Sequence, residues 1–143
     1  MRFLESKSIK IELSENDLKQ ISSAEKIKKA CEALNVIAFD IFDDEKLIGF
    51  AMLREYEKES YFLWNYAIDY RYQNKGYGTK ALKELIHLLI DKYGINEMVT
   101  TYLWGNLHAK HVYEKVGFVE TDVVDEDGIH EVNMHLDVEA YMT

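Results

Sequence analysis

A loop with two closely spaced glycines is the first segment of this sequence that could do chemistry. Residues 70–78 read Tyr-Arg-Tyr-Gln-Asn-Lys-Gly-Tyr-Gly and lie between a strand-like segment and a long helical pattern. The glycines at 76 and 78 permit a tight turn that gathers backbone N–H groups at the start of the helix. The helix dipole adds positive potential there, and Arg71 and Lys75 could add charge at the rim. The loop therefore suits a phosphate or pyrophosphate.

Three interpretations of this loop compete. A Walker A loop needs Gly-Lys-Ser/Thr after four intervening residues, which this sequence lacks. Gly76-x-Gly78-x-x-Ala81 matches the dinucleotide pattern G-x-G-x-x-A, but that pattern belongs to a repeated parallel βαβ sheet, whereas three antiparallel strands are predicted before this loop. The third interpretation is a tight turn from strand to helix with no ligand.

A second group of candidate residues begins at Asn106. Tyr113 lies in an apolar helical stripe with Ala109, Val112 and Val116, so periodicity alone predicts a tyrosine of the core. Asn106 precedes this helix, where asparagine is a common N-cap.

Two histidines and one cysteine could suggest metal or nucleophile chemistry. His108 and His111 are three residues apart on one helix, but no third ligand is in reach by sequence, so we expect surface histidines and no metal. Cys31 is the only cysteine, and in a helical stretch it is more often a packing residue than a nucleophile.

The elements that must position these residues follow from the hydrophobic pattern and the turn signals. The predicted order is a helical region 14–34 with a break near 22–23, strands 36–42, 47–53 and 61–68, a helix 77–93, a strand 98–103, a helix 109–116, and strands 118–124 and 129–136. One strand-helix-strand crossover requires a parallel pair. We therefore predict a single α/β domain over residues 1–143, with a mixed, mostly antiparallel sheet covered by helices on both faces.

Composition excludes several classes of protein. The net charge is −9 over 143 residues, which argues against nucleic-acid binding because phosphate contacts need clustered Lys and Arg. The same charge would attract a cationic substrate, or it serves solubility alone. No apolar stretch approaches a membrane span, and the charged N-terminus lacks a signal-peptide core, so we expect no membrane partner and a cytoplasmic location.

The motifs together resemble the GNAT superfamily of N-acetyltransferases. Gln73-x-x-Gly76-x-Gly78 is similar to its Q/R-x-x-G-x-G/A signature, and Asn106 followed by residues 108–118 is similar to its second motif, N-x-x-A-x-x-x-Y-x-x-x-G-F. Residues 61–69 resemble the preceding strand in the bacterial spermine/spermidine acetyltransferase-like subgroup. The resemblance covers residues 47–124 and implies a splayed pair of parallel strands.

The resemblance also implies roles for individual residues. The loop over residues 73–79 (Gln73, Asn74, Lys75, Gly76, Tyr77, Gly78 and Thr79) would hold the pyrophosphate of acetyl-CoA through its backbone amides. Ala67 and Ile68 would bind the pantetheine arm in strand fashion, and one N–H there would polarise the acetyl carbonyl. Asn106 would hydrogen-bond the cofactor at the splay, and Tyr113 would protonate the departing thiolate.

Direct transfer to an amine needs a neutral nucleophile, so a primary amine must first lose a proton. Glu55 and Asp69 lie at strand ends beside the expected site and could act as base. Trp64 and Trp104 could line the substrate channel, although core packing is the commoner role of either residue alone.

The substrate class implied by the subgroup is a polyamine or similar cationic small amine. Acetylation of a protein N-terminus, a lysine or an amino sugar is the alternative reaction, and a non-catalytic acetyl-CoA sensor is the alternative class of function. A homodimer is expected because dimers are common among relatives.

Overall fold

The computed structural model describes residues 1–142 as a seven-stranded sheet with helices on both faces. The strands are β1 Arg2–Ser6, β2 Val36–Asp43, β3 Lys46–Glu57, β4 Ser60–Ile68, β5 Glu97–Leu103, β6 Val119–Glu126 and β7 Ile129–Asp137. The helices are α1 Glu15–Gln20, α2 Ala24–Ala30, α3 Tyr77–Tyr93, α4 Leu107–Val116 and α5 Val138–Met142, with a 3-10 turn over Tyr70–Tyr72.

The strand order is β1-β2-β3-β4-β5-β7-β6, and every neighbouring pair is antiparallel except β4 with β5. This confirms the predicted fold class, including the parallel pair made by the β4-α3-β5 crossover. The core strands and helices also agree with their predicted positions to within a few residues.

Three local features differ from the prediction. β1 was not predicted, because as an edge strand it exposes Arg2, Leu4 and Glu5 and shows little apolar alternation. The first helical region ends at Ala30 rather than at residue 34, and α5 adds a short helix after β7. None of these features changes the order of the elements around the predicted site.

The core forms on both faces of the sheet. The apolar face of α3 is fully buried at Leu82, Leu85, Ile86 and Leu89 and packs with α4 on one face of the sheet. On the other face a second cluster gathers around Ile27 of α2, which is also fully buried. None of the helices among residues 1–142 is long and apolar enough to cross a membrane.

The parallel strands β4 and β5 separate soon after they begin to pair. Ser60–Leu63 pairs with Glu97–Thr100, and the pairing stops there. Trp64 is the extra residue of a β-bulge in β4, since the residues on either side of it pair with adjacent positions of β3. A bulge bends its strand and increases the local twist. β4 therefore turns away while β5 continues along β7 to Leu103, and the gap between them is a wedge-shaped cleft.

A buried hydroxyl marks the base of this cleft. Thr100 is 1% exposed, and its Oγ1 donates to the Leu63 carbonyl oxygen over 3.0 Å, across the last residue pair of β4 and β5. This bond links the two strands at the point where they diverge.

We predict that Thr100→Val lowers the free energy of unfolding by about 1–2 kcal/mol, because it removes a buried hydrogen bond at nearly constant volume. Urea denaturation measures the effect. Thr101→Val, one residue further along β5 and only half-buried, is the matched control and should cost less than about 0.5 kcal/mol. Equal effects at the two positions would contradict a role for this bond.

Candidate active site

The glycine loop ends in the open N-terminus of α3. Asn74 and Gly76 adopt positive φ angles of 62° and 81°, and Gly76 is the N-cap without any side-chain acceptor. The first intrahelical bond runs from the Lys80 N–H to the Gly76 carbonyl over 3.2 Å. The N–H groups of residues 77–79 precede this bond and have no carbonyl within the helix to accept from them. The loop geometry is therefore suited to an anion, as predicted from the sequence.

The two basic residues of the loop differ in availability. Arg71 is held by Asp69, with Nε and Nη2 each about 3 Å from a carboxylate oxygen. Lys75 is exposed, and its Nζ lies 5.9 Å from the centre of the Tyr72 ring. Lys75 is thus the cation of this loop that can turn towards a bound anion.

Asp69 anchors the start of the loop and is not suited to be a general base. Its side chain is fully buried, and it accepts hydrogen bonds from the N–H groups of Glu12 and Arg71 as well as from the Arg71 guanidinium. The hydrogen bond from the Arg71 side chain lowers the pKa of Asp69 to about 2. Burial acts in the opposite direction and is the smaller effect. So weak a base, with both oxygens already bonded, does not fit the role predicted for it.

A narrow pocket within the cleft brings together residues from both motifs. Six of the predicted site residues line it, namely Ala67, Ile68, Gln73, Gly78, Asn106 and Tyr113. Six further residues line it that the sequence did not mark as site residues, namely Asp17, Gln20, Tyr66, His108, Ala109 and Val112. The pocket has a cavity volume of about 40 Å³.

The β4 wall of the cleft offers backbone hydrogen-bonding groups. The Asp69 N–H donates to the Ile48 carbonyl of β3 over 2.7 Å. Because backbone groups alternate in direction along a strand, the N–H and carbonyl of Ile68 face the cleft instead. The Ile68 carbonyl there accepts from Gln73 Nε2 over 2.9 Å.

Tyr113 lies buried at the inner end of the cleft and is 6% exposed. Burial raises the pKa of Tyr113 to about 12, with a hydrogen bond to Thr100 opposing the shift and the charge of Asp17 adding to it. The phenol therefore keeps its proton at neutral pH and is available as a hydrogen-bond donor.

A second tyrosine, Tyr66, links β4 to the glycine loop. The Tyr66 hydroxyl donates to the Gly78 carbonyl over 2.6 Å. Burial, with a smaller contribution from Tyr113, raises the pKa of Tyr66 well above its ordinary value. Tyr66 thereby fixes the first turn of α3 beside the cleft.

Asn106 is the N-cap of α4, as its position before the helix predicted. Its Oδ1 accepts from the Ala109 N–H over 3.2 Å. Its Nδ2 donates to Gln20 Oε1 over 3.2 Å, and the Leu103 N–H donates to the same oxygen over 2.8 Å. The amide of Asn106 thus faces the cleft while its carbonyl oxygen caps the helix.

Glu55 is not brought to the cleft. It pairs with Tyr61 near the start of β4, and its Oε2 accepts from the Glu59 N–H over 3.1 Å. Tyr61 and Ile68 are seven positions apart along β4, which corresponds to roughly 23 Å. The prediction that Glu55 could act as base therefore does not fit its position.

Neither tryptophan lines the pocket that contains Tyr113. Trp64 is 37% exposed at the bulge and stacks on Phe62, with Arg54 over its ring. Trp104 is 62% exposed and meets His130 edge-on. Their role in a substrate channel stays a prediction. Both side chains are too exposed to be residues of the core.

Histidines at the cleft do not form a metal site with their neighbours. Among residues 1–142, no group of three or more His, Cys, Asp or Glu side chains could hold a metal ion. His108 is exposed on the pocket wall, and His111 is exposed on the same helix. Cys31 is buried, and burial raises the pKa of its thiol.

Asp17 and Gln20, both in α1, are two of the six lining residues that sequence reasoning did not mark. Ser14 caps α1, with the Asp17 N–H donating to Ser14 Oγ over 3.1 Å. However, Asp17 Oδ2 also accepts from Gln73 Nε2 over 2.8 Å. No spacing in the sequence signals this contact, because it depends on how α1 crosses the sheet.

Comparison with known proteins supplies the family. The model of the acetyltransferase (GNAT) family matches residues 9–118. The spermine/spermidine N(1)-acetyltransferase of Bacillus subtilis (strain 168) is 30% identical over 126 residues, which cover 82% of this chain and 83% of the relative.

Solved structures share the fold. A single-residue variant of the spermidine N-acetyltransferase of Vibrio cholerae has a TM-score of 0.73 at 19% identity, covering 85% of this chain and 79% of that one. The spermidine N-acetyltransferase of the same organism, in complex with CoA and spermine, has a TM-score of 0.71 at 20% identity, covering 83% and 75% of the two chains.

We predict that Asp69→Asn lowers the free energy of unfolding at pH 7 by about 2 kcal/mol, measured by urea denaturation. The folded pKa is depressed, so the stabilisation is present above about pH 4, the unfolded pKa, and is lost as the pH falls towards 2. The gap between wild type and variant should therefore close between pH 4 and 2. Asp91→Asn, an exposed change on α3, is the control; a constant gap for Asp69→Asn across this range would contradict the ion-pair account.

Proposed function

We propose that this chain, which belongs to the acetyltransferase (GNAT) family, transfers the acetyl group of acetyl-CoA directly to a primary amine. We further propose that the acceptor is a polyamine or a similar cationic small molecule. The name of the Bacillus subtilis relative and the net charge of −9 support this class of acceptor.

One observation carries the proposal: a backbone N–H, a phenol and a helix N-terminus all border a single cleft. Ile68 and Tyr113 line its walls, and Gly78, the middle one of the three residues whose N–H groups are free at the start of α3, lines it too. A thioester with a long arm and a pyrophosphate presents a carbonyl, a sulfur and an anion in that order. The cleft offers a partner for each of them.

The residues of the chain would divide the work of binding along the arm. The amides of residues 77–79 would hold the pyrophosphate at the start of α3, with Lys75 adding charge from the rim. The backbone of Ile68, whose N–H and carbonyl face the cleft, would bind the pantetheine arm as an added strand, since β5 has left that edge of β4 free. The backbone groups of Ala67 point towards β3 by the same alternation, so the role predicted for them does not fit. Asn106 Nδ2 would donate from the opposite wall.

The chemical step would use two donors on the walls of the cleft. As the amine nitrogen bonds to the thioester carbon, the Ile68 N–H would stabilise the negative charge that develops on the carbonyl oxygen. A phenol of pKa about 12 is a weaker acid than a thiol, whose pKa is near 8.5. Tyr113 would therefore stabilise the departing sulfur as a hydrogen-bond donor, and the proton that the thiol finally carries would come from the amine.

The amine must reach the cleft neutral, because a primary alkyl amine has a pKa near that of lysine, about 10.4. Neither Asp69 nor Glu55 is placed to accept its proton. Asp17 is the carboxylate that lines the pocket, and its negative charge would attract the protonated amine from solution. A homodimer and a cytoplasmic location remain predictions of the sequence.

A thiol-release assay with acetyl-CoA and a panel of amines tests the proposed function. Spermidine, spermine and putrescine should give release, whereas a lysine peptide and an aminoglycoside should give far less. If only the peptide or only the aminoglycoside gave thiol release, the polyamine would be the wrong class of acceptor. Failure to bind CoA in calorimetry would overturn the proposal as a whole.

We predict that Tyr113→Phe lowers kcat roughly 100-fold, because the leaving sulfur loses its donor. The dissociation constant of CoA, measured by calorimetry, should change less than about threefold. Tyr102→Phe is the matched control, since Tyr102 is a buried tyrosine of β5 that donates to Glu120 and does not line the pocket. Undiminished turnover of Tyr113→Phe would contradict the role of this phenol.

A further inference from the structure

Helix α1 crosses the cleft with little to hold it there. It has six residues, none of which is buried, and Leu18 is 64% exposed. A helix this short is not stable by itself and normally depends on packing an apolar face. α1 lacks such packing, so polar contacts must supply most of what keeps it in place.

The chain on either side of α1 is firmly attached to β4. On one side the Glu12 N–H donates to Asp69 Oδ2 over 3.1 Å. On the other side the Ser22 N–H donates to Asn65 Oδ1 over 2.9 Å, and the neighbouring Ile21 is 9% exposed in the core. Leu13 also packs on the second core cluster, so residues 14–20 form the segment between the two fixed points.

The polar contacts of α1 occupy the walls of the cleft. Gln20 Oε1 accepts from the Leu103 N–H over 2.8 Å and from Asn106 Nδ2 over 3.2 Å, on the β5 side. Asp17 Oδ2 accepts from Gln73 Nε2, which also donates to the Ile68 carbonyl on the β4 side. Groups that a strand-like ligand would need on both walls are thus already bonded.

The space in the cleft is also small. A cavity volume of about 40 Å³ holds a few waters at most, whereas sites for small molecules usually measure about 300–1,000 Å³. A groove of about 460 Å³ is lined by residues 13–16, at the start of α1, and by Tyr70. The N-terminal end of α1 therefore borders open space that it could enter.

We propose that residues 14–20 are a lid that closes the cleft in the free protein, with Gln20 as its latch on the β5 wall. The inference rests on the proposed function, because the arm of acetyl-CoA is what would displace the latch. The closed form reduces the apparent affinity by the fraction of molecules that are open, so weakening the latch strengthens binding. A Gln20 that instead formed part of the bound site would have the opposite effect.

Calorimetry with CoA on wild type, Gln20→Ala and Lys19→Ala separates these cases. Gln20→Ala should bind CoA roughly three- to tenfold more tightly, the effect of about one net hydrogen bond on an equilibrium constant. Lys19→Ala changes an exposed neighbour in the same helix and should match wild type. Unchanged or weaker binding by Gln20→Ala would overturn the lid, whereas wild type that fails to bind CoA would overturn the proposed function instead.

Stopped-flow binding gives a second, kinetic test. If a lid must open first, the observed rate for wild type should reach a plateau at high CoA concentration, and Gln20→Ala should raise that plateau. A rate that rises linearly with CoA for both proteins, with equal slopes, would contradict a latched lid.

Discussion

The early separation of β4 from β5 is the constraint on which the rest of the site depends. Four residue pairs join the strands, and the bulge at Trp64 then directs β4 away from its partner. Any strand that ends its pairing inside a sheet leaves backbone donors and acceptors without a neighbour. We propose that those groups are the binding surface, and the hydrogen bond from Thr100 to Leu63 fixes where the strands diverge.

Two tyrosines and one buried carboxylate set the geometry around this gap. Tyr66 joins β4 to the first turn of α3, so the N-terminal end of the helix and the free edge of the strand keep their relative positions. Asp69 joins the end of β4 to Arg71 and to Glu12, at the base of the segment that carries α1. Tyr113 occupies the inner end. The glycine loop and the segment that carries α1 are thereby both attached to the same strand.

Patterns that depend on local periodicity were readable in the sequence. The stripe of α3, the glycine loop and the tyrosine of α4 all belong to segments whose hydrophobic period or turn chemistry is strong, and the structure places them as predicted. Asn106 shows how two interpretations can hold together, since its carbonyl oxygen caps α4 while its amide faces the cleft.

Features that depend on long-range contact were not readable. Asp69 and Glu55 are both acidic residues near strand ends, yet one is buried in an ion pair and the other lies at the far end of β4. Gln20 meets Leu103 and Asn106 from more than eighty positions away in sequence. β1 was missed because an edge strand buries too few apolar residues to show an alternating pattern. Each of these depends on the sheet order, which spacing alone does not fix.

The central claim is that CoA binds in the wedge between β4 and β5, and backbone NMR during a CoA titration tests it most directly. Binding there should shift the amide resonances of Ile68 and of residues 76–79 most strongly, since their N–H groups would face the ligand. Saturable binding that shifts instead the amides around the wider groove of about 510 Å³, bordered by Arg54, Thr101 and Asn133, would contradict it.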